Sequence, residues 1–134
     1  MNEPLSSIMT RDVITANQTD SLAVARNIFL KNKVHHLPIV EGNSLVGILT
    51  TYDLFKLNGA SKGRNYEDIE IRDVMTRHVA TLEPEDKIGT AAELFLENLF
   101  HAVPIVKDGH LKGIVTSFDV IKYEFMKEYP TQPI

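Results

Sequence analysis

An internal repeat constrains this chain more than any other feature of its sequence. When the sequence is shifted by 66 positions, residues 8–57 align with residues 74–123 without a gap, and 20 of the 50 aligned residues are identical. Two units are too few for a solenoid, because solenoids generally stack three or more repeats to build a stable core. The repeat therefore predicts two similar units that bury their apolar faces against each other about a pseudo-twofold axis.

The repeat contains a junction where an apolar strand is predicted to lead into a helix. This junction reads GILTTYD over residues 47–53 and GIVTSFD over residues 113–119. The first backbone N–H groups of a helix have no partner within the helix, and the helix dipole favours negative charge at that end. Each junction therefore predicts a place where an anion such as phosphate can bind.

The residue types that both copies of the junction share suit different parts of a nucleotide. The glycine removes a side chain where a planar base or a sugar can approach the backbone. The threonine offers a hydroxyl to a phosphate oxygen, and the aspartate can accept hydrogen bonds from both hydroxyls of a ribose. These residues are Gly47, Thr50 and Asp53 in the first copy and Gly113, Thr116 and Asp119 in the second.

The same spacing also has a purely structural interpretation. Thr-x-x-Asp at a helix start is close to a capping box, in which the threonine accepts from the N3 amide and the acid reaches back to the cap. Both helices need caps, so the duplication does not discriminate between the two interpretations. Capping and binding are compatible, because an unliganded site can cap itself and release those groups to a ligand.

Both copies predict the order strand, helix, strand, strand, helix. The predicted strands are 13–15, 36–40, 45–49, 79–81, 103–106 and 111–115. The predicted helices run from Asp20 to about Asn32, after Thr50, from Asp86 to Asn98, and over 117–127. Asp20 is the predicted N-cap and Asn32 the predicted left-handed stop. Full strand pairing is expected only beyond Pro38.

Composition and breaks in the pattern set the limits of this organisation. The predicted division is a first unit (1–58), a linker (59–70), a second unit (71–127) and an irregular tail (128–134). The net charge of −4, without a basic run, argues against nucleic acid and anionic membranes as main partners. No apolar run approaches the ~18 residues that span a bilayer. The absence of cysteine excludes disulfides and suits a reducing cytosol, so a cytoplasmic location is predicted.

The order of elements, the Met-Thr-Arg and Pro-Ile-Val segments and the glycine-to-aspartate junction resemble the CBS domain. Over residues 5–127 the whole chain resembles a tandem CBS pair, or Bateman module. The resemblance implies an α/β fold with two CBS units (β-α-β-β-α each) about a pseudo-twofold axis. It also implies clefts between the units that bind AMP, ADP, ATP or S-adenosylmethionine, and it gives the threonine and aspartate the roles described above. The family is regulatory rather than catalytic.

Several other residues are weaker candidates for the same clefts. Ile14, Leu37, Ala80 and Val103 either sandwich an adenine ring or belong to the plain hairpin core. Arg11 and Arg77 are either phosphate contacts or surface ion pairs. His35, His36 and His101 can approach phosphates, but a solvated or packing role suits each of them better, and their spacing does not suit a metal site. The further predicted ligand-binding residues are Thr15, Leu37, Pro38, Thr81, His101, Val103 and Pro104.

Three functions from different classes remain open on the sequence. The first is an adenosine-nucleotide sensor that acts in trans on an unidentified effector protein, since no effector domain is attached. The second is a structural dimerisation module with empty clefts, and the third is an enzyme, for which no catalytic constellation or Walker loop is found. A homodimer is expected because two helical regions carry more apolar residues than one internal face uses. These residues are Leu94, Leu96, Leu99 and Phe100, and Val120, Ile121, Phe125 and Met126.

Overall fold

Two compact units make up the computed structural model, which describes residues 1–60, 65–98 and 100–130. The central unit is Ile14–Val79, and the split unit combines Met1–Val13 with Ala80–Ile134. The compact units are thus divided at other positions than the sequence repeats, because residues 1–13 pack with the second repeat. The division of the sequence into repeats at 1–58 and 71–127 stays a prediction.

Each unit contains the helices and the hairpin that the repeat predicts. The central unit contains α1 (Leu22–Asn32), β1 (His36–Glu41), β2 (Ser44–Thr50) and α2 (Thr51–Ala60). The split unit contains α3 (Ile88–Asn98), β3 (Ala102–Lys107), β4 (His110–Thr116) and α4 (Ser117–Glu128). Single turns of 3-10 helix lie at Leu5–Ser7, Tyr66–Asp68 and Ile71–Asp73. Within the described ranges, no helix combines the length and apolar character needed to cross a membrane.

The first strand of each repeat is reduced to a single parallel bridge. Ala16 bridges Ile39 and Leu82 bridges Ile105. The N–H of Ala16 donates to the carbonyl of Pro38 at 3.2 Å, and its own carbonyl accepts from Val40 at 2.9 Å. The predicted strands 13–15 and 79–81 are therefore wrong in position and extent, because only the residue that follows each of them pairs.

The two antiparallel hairpins are confirmed and are slightly longer than predicted. In the central unit the pairing runs from His36 opposite Thr50 to Glu41 opposite Ser44, and the split unit repeats this register. Pro38 lies opposite Ile48 within the paired region. The expectation that full pairing starts beyond Pro38 is therefore wrong, since proline is tolerated where its missing N–H is not needed by the partner strand.

The predicted ends of α1 at Asn32 and α3 at Asn98 and the predicted start of α4 at Ser117 are confirmed, whereas the predicted starts of α1 and α3 are wrong by one or two residues. Ser21 is the N-cap of α1, with its hydroxyl accepting from the N–H of Val24 at 3.3 Å. Asp20 instead accepts from the N–H of Asn17 at 3.0 Å and closes the preceding turn. The left-handed residue at the end of α1 is Lys33 (φ 54°), not Asn32. In the split unit, Asp86 likewise closes a turn, and α3 begins at Ile88.

In each unit, one segment is hydrogen-bonded to the backbone at the start of the first helix. We call residues 3–9 the N-terminal strap and residues 69–75 the middle strap. The carbonyl of Glu3 accepts from the N–H of Ile88 at 3.0 Å, and the N–H of Leu5 donates to the carbonyl of Asp86 at 2.7 Å. In the central unit the same bonds join Leu22 to Ile69 and Ile71 to Asp20. The predicted linker 59–70 thus contains ordered structure, while its residues 61–64 and the tail residues 131–134 lie outside the described part.

Each unit has its own apolar core between the hairpin and its two helices. In both cores one strap residue is fully buried, Leu5 in the split unit and Ile71 in the central unit. The fully buried hairpin residues include Leu37, Ile39, Leu49, Val103, Ile105 and Val115. Three successive residues are buried in β1 and in β3, so a short apolar run was enough to locate these strands.

The predicted surplus of apolar helix residues is only partly exposed. Leu96 is 81% exposed and Ile121 is 66% exposed. Phe125 and Phe100 are also exposed, whereas Val120 is buried and Leu94 packs against the core of the split unit. Met126 is half-buried, and Leu99 lies outside the described residues. The apolar surface is therefore real but smaller than the sequence suggests.

Candidate functional site

The junction at the start of α2 forms a closed capping box. The backbone N–H of Thr50 donates to Asp53 Oδ2 at 2.9 Å, and the N–H of Asp53 donates to Thr50 Oγ1 at 3.2 Å. The N–H of Thr51 donates to the carbonyl of His35 at 3.1 Å, so the residue before β1 also contributes to the cap. The side chain of Asp53 is only 14% exposed. The first turn of α2 is thus held by two segments of the central unit.

The junction in the split unit has the same geometry. The N–H of Thr116 donates to Asp119 Oδ2 at 2.8 Å, and the N–H of Asp119 donates to Thr116 Oγ1 at 3.2 Å. The carbonyl of His101 accepts from the N–H of Ser117 at 2.9 Å. The capping interpretation of Thr-x-x-Asp is therefore confirmed for both copies.

Capping leaves part of each Thr–Asp pair for a ligand. A carboxylate has about four lone-pair positions, and the cap uses one oxygen of the two. A threonine hydroxyl that accepts one hydrogen bond still has its own O–H to donate. Each pair therefore presents a carboxylate Oδ1 and a hydroxyl proton beside a helix N-terminus, which match the hydroxyl and phosphate groups of a nucleotide.

The two remaining carboxylate oxygens have different surroundings. Asp53 Oδ1 lies 4.0 Å from Nζ of Lys56, which also lies 5.0 Å from the centre of the Tyr52 ring. Asp119 Oδ1 has no such ion pair within the part of the chain that the structure describes. Beside Asp53 an open groove of about 310 Å³ is lined by Asp53, Lys56, Leu57, Asp73 and Val74.

The two glycines of the motif are required by the protein's own backbone. A Cβ on Gly47 would stand 2.7 Å from Sδ of Met75 and 2.8 Å from the carbonyl oxygen of Thr76. Thr76 pairs with the neighbouring Ile48 through two hydrogen bonds of 2.9 Å. A Cβ on Gly113 would likewise stand too close to Sδ of Met9 and to the carbonyl oxygen of Thr10. The approach of a base or sugar to these glycines stays a prediction, and on this face a segment of the same unit fills the space that each glycine leaves.

The Met-Thr-Arg segments also have structural roles. Met9 is buried against Gly113, and Met75 is buried against Gly47. The residue that follows each strap, Thr10 or Thr76, also lies against the glycine. Nη2 of Arg11 donates to the carbonyl of Ser6 at 2.8 Å, and Nη2 of Arg77 donates to that of Arg72 at 3.1 Å. Neither the predicted phosphate contact nor a surface ion pair is needed to explain these arginines, since each one closes its own turn.

The apolar candidates separate into core and surface residues. Leu37, Pro38, Val103 and Pro104 are fully buried, so their side chains belong to the hairpin cores. Ile14 is 37% exposed, and Ala80 is exposed as well. Thr15 is half-buried, and Thr81 and His101 are exposed. Sandwiching of adenine by Leu37 and Val103 would need a rearrangement, whereas Ile14 and Ala80 are accessible.

The N-terminal strap is joined to α4 one helical turn after Asp119. The hydroxyl of Tyr123 donates to the carboxylate of Glu3. This bond lowers the pKa of Glu3 to about 2 and raises the pKa of Tyr123 to about 12. The equivalent residues of the central unit, Ile69 and Leu57, are apolar. The helix that carries Asp119 is therefore fixed to its strap by a polar contact that the other copy lacks.

Sequence reasoning missed one charged residue at the site. Lys56 follows Asp53 by three residues and contacts it, whereas Lys122 has the same spacing from Asp119 and makes no such contact in the described part of the chain, so only the lysine of the central unit belongs to a site. Side chains at i and i+3 lie on one face of a helix, which was the signal that could have identified it. Within the described ranges no cluster of three or more His, Asp or Glu side chains is arranged to hold a metal ion.

Comparison with known proteins identifies the family. The family model of the CBS domain matches residues 5–59 and 71–125. Protein MJ1225 of Methanocaldococcus jannaschii is 33% identical over 132 residues, which cover 91% of this chain and 47% of that protein. The chain thus spans about half the length of this relative.

Two solved CBS structures match nearly the whole chain. The CBS domain pair of protein MJ0100, in complex with 5′-methylthioadenosine and S-adenosyl-L-methionine, has a TM-score of 0.84 at 30% identity and covers 95% of this chain and 99% of that one. CBSX2 in complex with AMP has a TM-score of 0.85 at 26% identity, with coverages of 94% and 98%. The chain carries two CBS domains in tandem and belongs to the CBS domain family.

Proposed function

We propose that this CBS pair is a regulatory module that binds adenosine nucleotides (AMP, ADP or ATP) at its two Thr–Asp pairs. The observation that carries the proposal is the repeated geometry of Thr50 with Asp53 and of Thr116 with Asp119. In each pair the cap uses one carboxylate oxygen and leaves the other beside a helix N-terminus. The free carboxylate oxygen can accept hydrogen bonds from the hydroxyls of a ribose, and the N–H groups at the helix N-terminus can donate to a phosphate.

The capping box acts as a placeholder for the ligand in this proposal. Without a ligand, Thr50 Oγ1 and Asp53 Oδ2 satisfy the first backbone amides of α2. A phosphate oxygen can take over such an amide, because charge-assisted hydrogen bonds are shorter and stronger than neutral ones. The helix end is therefore satisfied in both states, and binding exchanges one set of hydrogen bonds for another.

The ligands of similar proteins support an adenosyl group as the common element. CBSX2 was solved with AMP, and the MJ0100 pair with 5′-methylthioadenosine and S-adenosyl-L-methionine. These ligands share adenine and ribose and differ at the 5′ position. For that reason S-adenosylmethionine is the second candidate ligand, and the 5′ group is the part that a test must vary. Thr15, Thr81, Ile14 and Ala80 remain predicted contacts.

We also propose that the module works as a homodimer and signals in trans to an effector protein. Exposed apolar side chains follow one face of α4, namely Phe118, Ile121 and Phe125. A second copy that covers this face removes apolar area from water and stabilises the pair by about 25 cal/mol per Å². The alternative of a purely structural dimerisation module with empty sites needs the same surface, so only ligand binding separates the two functions.

Thermal shift followed by calorimetry tests the proposal. The panel is AMP, ADP, ATP, GMP and S-adenosylmethionine, and a ligand at 100 times its Kd should stabilise the native state by about 2.7 kcal/mol. We expect adenosine nucleotides to stabilise the protein and GMP to bind much more weakly, since a wrong exocyclic group leaves a fixed polar group unpaired. Equal binding of AMP and GMP would contradict the proposed base selectivity. No stabilisation by any ligand would favour the structural module.

A further inference from the structure

The repeat allows the two Thr–Asp pairs to be compared residue by residue. Their capping distances agree within 0.1 Å. Each aspartate is preceded by an aromatic residue and followed three positions later by a lysine. The two sites nevertheless differ in what the lysine contacts.

In the central unit the lysine is held at the aspartate. Nζ of Lys56 lies 4.0 Å from Asp53 Oδ1 and 5.0 Å from the centre of the Tyr52 ring, so an ion pair and a cation–π contact support one position. In the split unit Lys122 makes neither contact with Asp119 or with the preceding ring, as far as the described residues show. The same side chain at the same spacing therefore has a different environment.

A second carboxylate explains the difference. Asp73 lines the groove that contains Asp53 and Lys56, and no ion pair of Asp73 occurs within residues 1–60, 65–98 and 100–130. The equivalent position in the split unit is Ser7, whose hydroxyl donates to the carbonyl of Pro4 at 2.7 Å. Two carboxylates attract the ammonium of Lys56 into the groove, whereas a neutral serine does not attract Lys122.

We propose that Lys56 is a specificity-determining residue that makes the two sites unequal, an inference that rests on the proposed function. Its ammonium competes with a ribose hydroxyl for Asp53 Oδ1, the oxygen that the capping box leaves. None of the described residues competes in this way for Asp119 Oδ1. The split unit therefore binds adenosine more tightly and fills first, and the central unit fills at higher concentration.

The size of the effect follows from the exposure of the ion pair. Lys56 is 58% exposed, and exposed pairs contribute about 0.2–1 kcal/mol. Removing the competitor should therefore tighten adenosine binding at the central site by about 1.4- to 5-fold. Adenosine is the suitable probe because it carries no phosphate. The attraction of a lysine for phosphate then cannot hide the competition.

Calorimetric titration with adenosine tests the inference on the whole chain. Asp119→Asn removes the tighter site, and Lys56→Met is then added in that background. We expect Lys56→Met to tighten the remaining site by about 1.4- to 5-fold. Lys122→Met is the matched control, and it should leave both affinities of the otherwise unchanged protein within 1.5-fold of the original values, about the lower limit of the expected effect. Asp73→Ser should raise the adenosine affinity of the central site to a smaller extent, because it removes one of the two carboxylates that attract Lys56.

The possible outcomes separate this inference from the proposed function. If the unchanged protein binds AMP but no adenosine, the inference fails and the proposed function stands; if it binds neither, both fail. If it binds adenosine and Lys56→Met leaves the central site unchanged or weaker, only the inference fails. Equal effects of Lys56→Met and Lys122→Met would also overturn it. Melting curves of each variant check the fold, which should be unaffected because both lysine side chains are exposed.

Discussion

Replacing Gly47 with alanine is expected to destabilise the protein by about 2–4 kcal/mol. The added Cβ would lie 2.7 Å from Sδ of Met75 and 2.8 Å from the carbonyl oxygen of Thr76. The methionine side chain can move, but the carbonyl is backbone that pairs with Ile48. Overpacking costs about 1–3 kcal/mol, and partial weakening of the two hydrogen bonds of this bridge adds about 1 kcal/mol in total.

The assay is thermal unfolding with Gly89→Ala as a matched control. A Cβ on Gly89 would meet Met1 at 3.4 Å, which is ordinary contact, and alanine is the better helix former by about 1 kcal/mol. We therefore expect Gly47→Ala to melt lower by roughly 6–16 °C and Gly89→Ala to melt at the same temperature or slightly higher. The same comparison with Gly113→Ala should repeat the loss in the split unit.

The result also separates the two explanations of the glycine. If Gly47 is present to let a ligand approach, Gly47→Ala should lose adenosine affinity and keep its melting temperature. If Gly47 is present because Met75 and Thr76 pack against it, Gly47→Ala should lower the melting temperature. A Gly47→Ala protein that melts with the unchanged protein would refute the packing argument.

Three further predictions concern the aspartates, the strap and the dimer. Asp53→Asn or Asp119→Asn should cost the affected site about 1.5–3 kcal/mol of adenosine affinity by calorimetry and the unliganded fold about 1 kcal/mol or less, whereas a variant that melts early but binds normally would make that aspartate a cap only. The pKa of Glu3 falls from 4.5 to about 2 through its bond from Tyr123, so this bond stabilises the fold above pH 4.5 and the stabilisation is lost as the pH falls towards 2. The pKa of Tyr123 rises from 10 to about 12 through the same bond, so the stabilisation is present below pH 10 and lost as the pH rises through about 12. The melting difference between the unchanged protein and Tyr123→Phe should therefore be largest between these limits, and a difference that does not change with pH would contradict the assignment. Ile121→Lys places a charge on the exposed face of α4 and should shift a dimer to monomer in light scattering at tens of micromolar, while a protein that is already monomeric without the change would rule out the dimer.

Local patterns in the sequence predicted the hairpins, the four helices and the capping geometry. The hairpin strands are short apolar runs rich in isoleucine, valine and leucine on either side of a turn, and the Thr-x-x-Asp spacing fixes which groups meet within one helical turn. These features depend on residues within a few positions of each other. The prediction of Asp20 as N-cap was wrong because the carboxylate of Asp20 closes the turn before the helix, which leaves the hydroxyl of Ser21 to cap α1.

Features that depend on distant segments could not be read from local patterns. The crowding of Gly47 comes from Met75 and Thr76, which follow it by nearly thirty residues. Asp73 of the middle strap lines the same groove as Lys56, which precedes it by seventeen residues in the chain. The repeat did contain part of this information, since Met-Thr-Arg recurs with the glycine, but only the structure shows that these segments meet within one unit.

The split unit is built from two separate stretches of the chain, and this determines the order in which the two units can fold. The central unit is one continuous stretch, Ile14–Val79, and its core closes with contacts inside that stretch. The split unit must bring residues 1–13 to residues 80–134 before Leu5 reaches its core, and such distant contacts form slowly because loop closure costs entropy first. During synthesis the central unit can therefore fold first, while the N-terminal strap waits for α3. Pulse-labelling hydrogen exchange should show protection of β1 and β2 before β3 and β4, and simultaneous protection would contradict this order.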